Sequence, residues 1–494
     1  MRVDLFKRFN HVISLMSAGA TGRIRKSVDH RISSKSLVEY LDGFIVGQIE
    51  AKRSLAIAII DRERRMRIVD DNLRKAVIPS NILLLGPTGS GKTEVARRLA
   101  RKVDAPFVKV VATKYSEVGF VGDDTASMIE DLAEQAYQEE VSKMRREVLD
   151  DAKLIAVEEV TSAFLNTNIP MKDGLDRETA RAMVEAGIVD DVEVQVESTM
   201  LDYAISKGAL NEKEAAPNGS SIVPEDEPLG LRTILSTRGP SRGSASHRAS
   251  GVRSLWRVVT VSHALKAITE RSSVVLTRSR ESELKDRAKR ATEERGIVFI
   301  DEFDKMISDA GEEGSSFNQK RKGVEKELLS LIEGTVVQTQ KLGPINTDHI
   351  VFICAGAFSC VSPKQIMPEL QGRLPIRCEM KSLTEEDFVR ILENVEHALP
   401  VVQRELMLVD GVDVNFSACG IRQIAKVAVE LNKELVNTGA RRLNTVMGIV
   451  LEDVKFNVED YSGHVIEINA EYVDQRMGLL KSMNKTEDLR KFIL

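Results

Sequence analysis

One short stretch of this sequence combines glycine, lysine and threonine in a spacing suited to phosphate groups. Residues 86–93 read GPTGSGKT, which matches the pattern GxxxxGK[ST]. In such a loop the glycines let backbone N–H groups curl around phosphates, and the following helix N-terminus adds a favourable dipole. We expect Lys92 to reach the β- and γ-phosphates of ATP, and the Thr93 hydroxyl to bind Mg²⁺. The predicted phosphate-binding residues are Gly86, Pro87, Thr88, Gly89, Ser90, Gly91, Lys92 and Thr93.

A second stretch, GIVFIDEFDK at residues 296–305, offers acids for the metal and for a water molecule. Asp301 follows an apolar run, at a position where a carboxylate can hold Mg²⁺ through its water shell. Glu302 beside it can polarise the attacking water. Acids commonly end strands, so this pair is a weak signal alone. Together with the phosphate loop it predicts hydrolysis and not only binding.

These residues need a scaffold that brings several strand ends together. Residues 81–85, 106–115, 297–300 and 349–358 are short, mainly apolar runs, which are typical of buried parallel strands. Helical patterns separate them. The sequence therefore predicts an α/β fold with a doubly wound parallel sheet, whose ligands bind at the C-terminal ends of the strands.

Composition sets broad limits on the function. The chain has 494 residues, of which 42% are hydrophobic and 29% are charged, as expected for a multidomain globular protein. No apolar run approaches the roughly 18–20 residues of a membrane helix. The net charge of −5 does not argue for a nucleic acid partner. Four cysteines without CxxC spacing argue against zinc and predict buried thiols in a reducing compartment; they are Cys354, Cys360, Cys378 and Cys419.

The first 36 residues differ in composition from the rest of the chain. They contain eight Lys or Arg, two acids and several serines, and their apolar residues follow a helical spacing. A basic, serine-containing and potentially amphipathic segment is typical of an organellar transit peptide. We therefore predict a mitochondrial matrix location, with a cytoplasmic protein carrying a frayed basic tail as the alternative.

Several longer stretches occur together in one order, and this set is far more specific than any single motif. The chain resembles the HslU (ClpY) family, the AAA+ unfoldase partner of the HslV peptidase, over residues 37–137 and roughly 285–494. The resemblance implies an AAA+ P-loop core and a hexameric ring. The stretches, besides the two described above, are YLDGFIVGQIEAKRSLAIAI (40–59), GFVG (119–122), TDHIVFICAGAF (347–358), PELQGRLPIR (368–377), NTGARRLNTVM (437–447) and EDLRKFIL (487–494).

The resemblance implies roles for four further residues. Ile45 and Val46, in FIVGQ, correspond to the apolar patch that receives adenine. Arg373, in GRLP, corresponds to the arginine finger that enters the neighbouring subunit's site. There it would neutralise charge on the γ-phosphate in the transition state. Arg441, in GAR, corresponds to the sensor that closes the small domain over the nucleotide.

A glycine-flanked apolar loop corresponds to the family's pore loop, which grips the substrate polypeptide. The family usually has a tyrosine at the position of Phe120. We expect the function to survive this difference, because a sequence-independent grip does not need the hydroxyl. The predicted pore-loop residues are Gly119, Phe120, Val121 and Gly122.

The predicted domains are a transit peptide at 1–36, an AAA+ large domain at 37–137 and 285–382, an inserted intermediate domain at 138–284, and a small helical domain at 383–494. The resemblance fails in the insertion, which we expect to be mostly helical and partly disordered. Residues 231–257 contain six arginines and no acid, with many Ser and Gly, a composition that cannot bury a core. In the small domain we predict a helix N-cap at Thr384 and one strand within 464–470.

The chain ends in Phe492, Ile493 and Leu494, although chain ends usually fray into water. In the HslU family this tail docks between subunits of the HslV peptidase and activates it. The resemblance therefore implies an HslV-type peptidase as partner and polypeptides as substrates.

These observations predict an ATP-dependent protein unfoldase that uses ATP and Mg²⁺ and has neither a membrane nor a nucleic acid partner. It would form a homo-hexamer, or a hetero-hexamer with a paralogue. No Ser/His/Asp, Cys/His or N-terminal threonine arrangement is evident, so proteolysis would belong to the partner. The alternatives are a ClpX-type unfoldase, which usually carries a four-cysteine zinc module, and a non-hydrolysing AAA+ chaperone or assembly subunit. Asp301, Glu302 and Arg373 argue against the latter.

Overall fold

The computed structural model describes residues 33–115, 124–166, 176–197, 256–307 and 316–483. The chain divides into two compact units. The first combines the residues up to Val77 with Leu84–Val103 and the residues from Cys378 onward. The second combines Ile78–Leu83 with Asp104–Arg377.

The described residues form both helices and strands. The strands are β1 (Ile82–Leu85), β2 (Phe107–Val111), β3 (Glu193–Glu197), β4 (Trp256–Thr260), β5 (Ile297–Asp301), β6 (Val336–Thr339), β7 (Gly343–Asn346), β8 (Val351–Gly356), β9 (Ile376–Glu379), β10 (Asp413–Phe416) and β11 (Val465–Ile468). The helices are α1 (Ser34–Asp42), α2 (Ile49–Arg65), α3 (Asp71–Ala76), α4 (Lys92–Lys102), α5 (Ser127–Glu147), α6 (Leu149–Asn166), α7 (Arg177–Glu185), α8 (Val261–Ser279), α9 (Glu281–Arg295), α10 (Ser316–Glu333), α11 (Pro368–Arg373), α12 (Glu385–Glu393), α13 (Leu399–Leu408), α14 (Ala418–Glu434), α15 (Arg441–Phe456), α16 (Val458–Tyr461) and α17 (Ala470–Met483).

The central sheet has five strands in the order β2-β5-β8-β1-β9. Both β2 and β8 run parallel to β5, with Val111 opposite Asp301. Every residue of β8 is buried, and so is every residue of β5 except the last, which is half-buried. Burial on both faces explains why these strands are continuous apolar runs. The predicted α/β fold with a parallel sheet is confirmed, although β2 is shorter than predicted because a 3₁₀ turn, Ala112–Lys114, follows it.

The inserted region contains a small sheet that the sequence analysis missed. Strands β3 and β4 pair antiparallel, and α6, α7 and α8 pack with them around a shared apolar core that includes Val194 and Val259. We predicted no strand here, although the alternation of polar residues and valine in the sequence EVQVE of β3 suits a half-buried strand. The stretch whose composition predicts disorder is 231–257, and its residues 231–255 lie outside the described ones. Its last two residues, 256 and 257, begin β4.

The C-terminal helices pack around a core of their own within the first unit, which includes Phe388, Val414 and Val446. Helix α12 begins after the predicted N-cap: the Asp387 N–H donates to the Thr384 hydroxyl, and the Thr384 N–H donates to the Asp387 carboxylate. The predicted strand is β11, which pairs parallel with β10. We missed β10 because four residues are too short to show a period.

The described residues begin at Ser33, inside the segment predicted to be a transit peptide. Ser33 caps α1 through a capping box with Ser36. Leu37 and Leu41, on the same helix, are fully buried. The residues before 33 lie outside the described ones.

Two expectations from composition have different outcomes. Among the described helices, none combines the length and the apolar character that a membrane crossing requires. Cys354 and Cys378 are buried as predicted, but the prediction is wrong for Cys360 and Cys419, which are exposed. Cys360 lies in the loop after β8, and Cys419 lies in the first turn of α14, so neither faces a core.

Candidate nucleotide site

The phosphate loop lies between β1 and α4, in the strand–loop–helix order that the sequence predicts. The φ angles of Gly86 and Gly89 are 148° and 74°, in the region that favours glycine. A Cβ atom on Gly86 would lie 2.4 Å from the Met380 carbonyl oxygen, and one on Gly89 would lie 2.0 Å from the Thr438 carbonyl oxygen. Neither position can therefore carry a side chain, and the loop remains a cradle lined by backbone.

Lys92 lies inside this cradle. It is 8% exposed, and its Nζ donates hydrogen bonds to the carbonyl oxygens of Gly86 at 2.5 Å and Pro87 at 2.9 Å. An ammonium group held by neutral carbonyls can exchange them for phosphate oxygens, which carry negative charge. Thr93, the next residue of α4, is half-buried.

The acidic pair lies at the C-terminal end of β5. The Asp301 carboxylate pairs with the Lys109 Nζ at 2.8 Å, and it also accepts a hydrogen bond from the Glu302 N–H at 3.1 Å. Glu302 is exposed and has φ 55°, a left-handed conformation that is costly for a residue with a side chain. Such strain concentrates at functional sites, which is consistent with the role predicted for Glu302. Lys109 was missed because a single lysine in β2 gives no sequence signal.

Arg373 is the last residue of α11, and its side chain is 42% exposed. Its Nη2 and Nε lie 3.1 Å and 3.3 Å from Oε1 of Glu333, whose side chain is 43% exposed. An exposed ion pair of this kind contributes about 0–1 kcal/mol, so the guanidinium can exchange partners at little cost.

Arg441 is exposed at the start of α15, and the loop before it contacts the phosphate loop. The Ala440 N–H donates to the Gly89 carbonyl oxygen at 3.2 Å. Gly439 has φ 59°, and a Cβ atom there would lie 2.6 Å from the Thr88 carbonyl oxygen. The residues just before Arg441, the predicted sensor, thus contact the backbone of the predicted phosphate loop.

The neighbouring Arg442 was overlooked. It is 3% exposed and donates to the Val436 carbonyl oxygen at 2.8 Å and to Oδ1 of Asn432 at 3.3 Å. Burial lowers the pKa of its guanidinium. Arg442 therefore supports the loop that leads into Arg441 and α15. The sequence did carry a signal for the burial of Arg442. It lies four residues before the apolar Val446, and this spacing places both residues on one helix face.

The predicted adenine segment packs beside the phosphate loop. Ile45 is 6% exposed, and its Cγ2 lies 3.9 Å from where a Cβ atom on Gly91 would be. Val46 is half-buried. The Ile45 carbonyl oxygen accepts a 2.7 Å hydrogen bond from the Nζ of Lys52, which is 1% exposed and also pairs with Asp42. Sequence reasoning missed Lys52, although a lysine on the apolar face of α2 could have been noticed.

Gln48 ties the same segment to the chain that follows β9. Its Nε2 donates to the Lys381 carbonyl oxygen at 2.8 Å, and the Lys381 N–H donates to its Oε1 at 2.9 Å. Gln48 adopts φ 53° just before α2. A glutamine in this conformation is strained, and the paired hydrogen bonds to Lys381 hold it there.

The predicted site residues fall in both units. The phosphate loop, the adenine segment and Arg441 lie in the first unit, whereas Asp301, Glu302 and Arg373 lie in the second. The predicted pore loop, 119–122, and the predicted docking residues, 492–494, lie outside the described residues.

Comparison with known proteins finds AAA ATPase domains and whole-chain relatives. Residues 82–186 match the model of the ATPase family associated with various cellular activities (AAA), and residues 257–377 match the AAA domain (Cdc48 subfamily). The chain is 38% identical over 463 residues to the ATP-dependent protease ATPase subunit HslU of Cereibacter sphaeroides strain KD131. It is also 38% identical to the proteins of the same name from Rhodospirillum centenum and Persephonella marina.

Each of these three alignments covers 94% of this chain and 99% of the relative. The similarity is thus broader than the sequence analysis held, because it is not confined to 37–137 and 285–494. Single motifs cannot reveal similarity that is spread thinly over an insertion. The phosphate loop, the acidic strand end and this coverage agree: the chain is an AAA ATPase and belongs to the HslU family.

Proposed function

We propose that this ATPase forms a hexameric ring, pulls substrate polypeptides through its pore and activates a separate HslV-type peptidase. The observation that carries the ATP-driven part is the cradle formed by Gly86 and Gly89, with the buried Lys92 inside it. The name of the relatives, ATP-dependent protease ATPase subunit, supports a division of labour in which this chain supplies the ATPase and another chain the peptidase.

The site residues fit ATP with Mg²⁺. At Gly86 and Gly89 a Cβ atom would collide with the carbonyl oxygens of Met380 and Thr438, so only glycine allows this loop conformation, in which backbone N–H groups can approach a phosphate. The Thr93 hydroxyl and the Asp301 carboxylate are oxygen ligands, which Mg²⁺ prefers. When bound, the ion would neutralise charge on the phosphates.

The chain's own residues divide the remaining work. Lys92 would exchange loop carbonyls for phosphate oxygens, and Ile45 and Val46 would pack against adenine. Glu302 would orient and polarise the attacking water. Arg373 would leave the exposed Glu333 and enter the neighbouring subunit's site, where a planar, permanently charged group suits the γ-phosphate.

The terminal segments support the proposed partner and location. The apolar tail would dock in pockets of the peptidase, and several tails on one ring would bind with avidity. Phe120 would contact the substrate in the pore.

The basic first 36 residues support a mitochondrial matrix location, and a fluorescent protein fused to residues 1–36 tests it: a cytosolic signal would contradict import.

Deleting residues 487–494 tests the partner. We expect ATP hydrolysis to stay within about twofold of the full chain, while stimulation of an HslV-type peptidase on a fluorogenic peptide is lost. Three apolar residues could contribute about 1.5–3 kcal/mol each on burial, before ordering costs. As the matched control, a synthetic EDLRKFIL peptide should activate the peptidase partly, and its C-terminal amide less. Full stimulation by the truncated ring would contradict docking by the tail.

A further inference from the structure

The residue just before β1 is a buried asparagine that no predicted role explains. Asn81 is 5% exposed, and both polar atoms of its carboxamide are used. Its Oδ1 accepts a hydrogen bond from the Phe352 N–H, in the central strand β8, at 2.9 Å. Its Nδ2 donates to the Arg373 carbonyl oxygen at 3.2 Å. One side chain thus joins the sheet to the end of α11.

The bond to Arg373 fills a specific need of a short helix. The last four carbonyl groups of an α-helix have no partner within the helix, and Arg373 is the last residue of α11. The flanking Leu370 and Leu374 are 0% and 1% exposed, so this end of the helix is held against the core. The carboxamide of Asn81 fixes the backbone from which the exposed guanidinium extends.

Only an amide of this length supplies both functions. An aspartate in its place would keep the acceptor for the Phe352 N–H, but when ionised it would lose the donor to the Arg373 carbonyl. A serine would be too short to span both partners.

We propose that Asn81 is a positioning residue for Arg373, which ties α11 to β8 and thereby aims the guanidinium at the neighbouring subunit's nucleotide. This inference rests on the proposed function of Arg373 as a finger that acts between subunits. Displacement of a catalytic group by about 1 Å can cost roughly a hundredfold in rate. Loss of the Asn81 bond should therefore impair a subunit as a finger donor and spare it as a nucleotide acceptor.

The test uses full-length subunits of two kinds. One kind can only donate an arginine finger to its neighbour, and the other can only receive one at its own nucleotide site. Lys92→Ala subunits keep Arg373 but lack a working phosphate loop, so in mixed rings they only donate. Arg373→Ala subunits only accept. Asn81→Asp is added to either partner before mixing, and ATP hydrolysis by the mixed rings is measured. We expect Asn81→Asp to lower the recovered rate at least tenfold on the donor and less than twofold on the acceptor.

Two controls separate the possible failures. If the parent mixture without Asn81→Asp recovers no activity, the finger does not act between subunits, and the proposed function of Arg373 fails. If the parent mixture recovers activity but Asn81→Asp has equal effects on donor and acceptor, or none on the donor, the positioning role is wrong. Asn81→Ser, which introduces no charge, must give the same asymmetry. Thr292→Val removes another buried hydrogen bond, to the Ala288 carbonyl oxygen. It should leave the recovered rate of ATP hydrolysis unchanged, whether it is added to the donor or to the acceptor subunit.

Discussion

The phosphate loop and the end of α11 both contain a cation suited to phosphate, but in opposite surroundings. Lys92 is 8% exposed and bonded to the carbonyls of its own loop, in a cradle that close backbone packing at Gly86 and Gly89 defines. The Arg373 side chain is 42% exposed and pairs with the exposed Glu333. Under the proposed function, the first arrangement would serve the nucleotide of its own chain, whereas the second would suit a nucleotide that another chain holds.

Magnitudes support this reading of the exposed arginine. Its ion pair with Glu333 contributes about 0–1 kcal/mol. An arginine finger raises the rate of phosphoryl transfer by roughly 10³–10⁵, or about 4–7 kcal/mol of transition-state stabilisation. The gain in the transition state therefore far exceeds the cost of leaving Glu333. A buried arginine such as Arg442, which is bonded to a backbone carbonyl and to Asn432, could not move so cheaply.

A large effect on ATP hydrolysis is expected from Glu302→Gln. This change removes the charge that polarises water and keeps the shape of the side chain, so hydrolysis should fall about 10²–10⁴-fold with unchanged ATP affinity. Single-turnover ATP hydrolysis and binding of a fluorescent ATP analogue separate the two effects. A normal hydrolysis rate would show that Glu302 is only a strand-end acid.

Lys92→Ala should instead act on binding. Loss of charge-assisted hydrogen bonds to phosphate, each worth about 1.5–3 kcal/mol, predicts at least a tenfold weaker affinity for ATP. Titration with a fluorescent ATP analogue measures it. Arg101→Ala is the matched control, because it removes an exposed cation from the same helix and should leave the affinity unchanged. Equal losses in both variants would mean that general charge, and not the cradle, holds the nucleotide.

Gly89→Ala tests whether close backbone packing determines the shape of the phosphate loop. A Cβ atom there would lie 2.0 Å from the Thr438 carbonyl oxygen on a backbone with φ 74°, so we expect a loss of about 1–3 kcal/mol in the free energy of unfolding. Gly448→Ala, in α15 where a Cβ atom meets nothing within 4 Å, should instead gain about 0.5–1 kcal/mol. Thermal or denaturant unfolding compares the pair. Similar changes in both variants would mean that the phosphate loop yields easily around a side chain.

The sequence predicted those parts of the molecule that local patterns determine. The apolar runs of β5 and β8 and the GPTGSGKT loop carry their own signals, and so does the capping box at Thr384. Contacts between distant segments gave no such signal. The partners of Asn81 lie 271 and 292 residues further along the chain, and Gln48 bonds to a residue 333 positions away. Strands β3 and β10 were missed because each is short and is stabilised by a partner far along the chain.

The central claim is that each nucleotide site borrows Arg373 from a neighbour. Arg373→Ala rings and Lys92→Ala rings, assayed separately, should both lack ATP hydrolysis, although Arg373→Ala subunits bind ATP normally. The deciding measurement is the ATP hydrolysis rate of the two variants mixed over a range of ratios. The account predicts that activity returns and passes through a maximum at intermediate ratios, where intact fingers meet intact phosphate loops. No recovery at any ratio, with mixed rings verified, would contradict it.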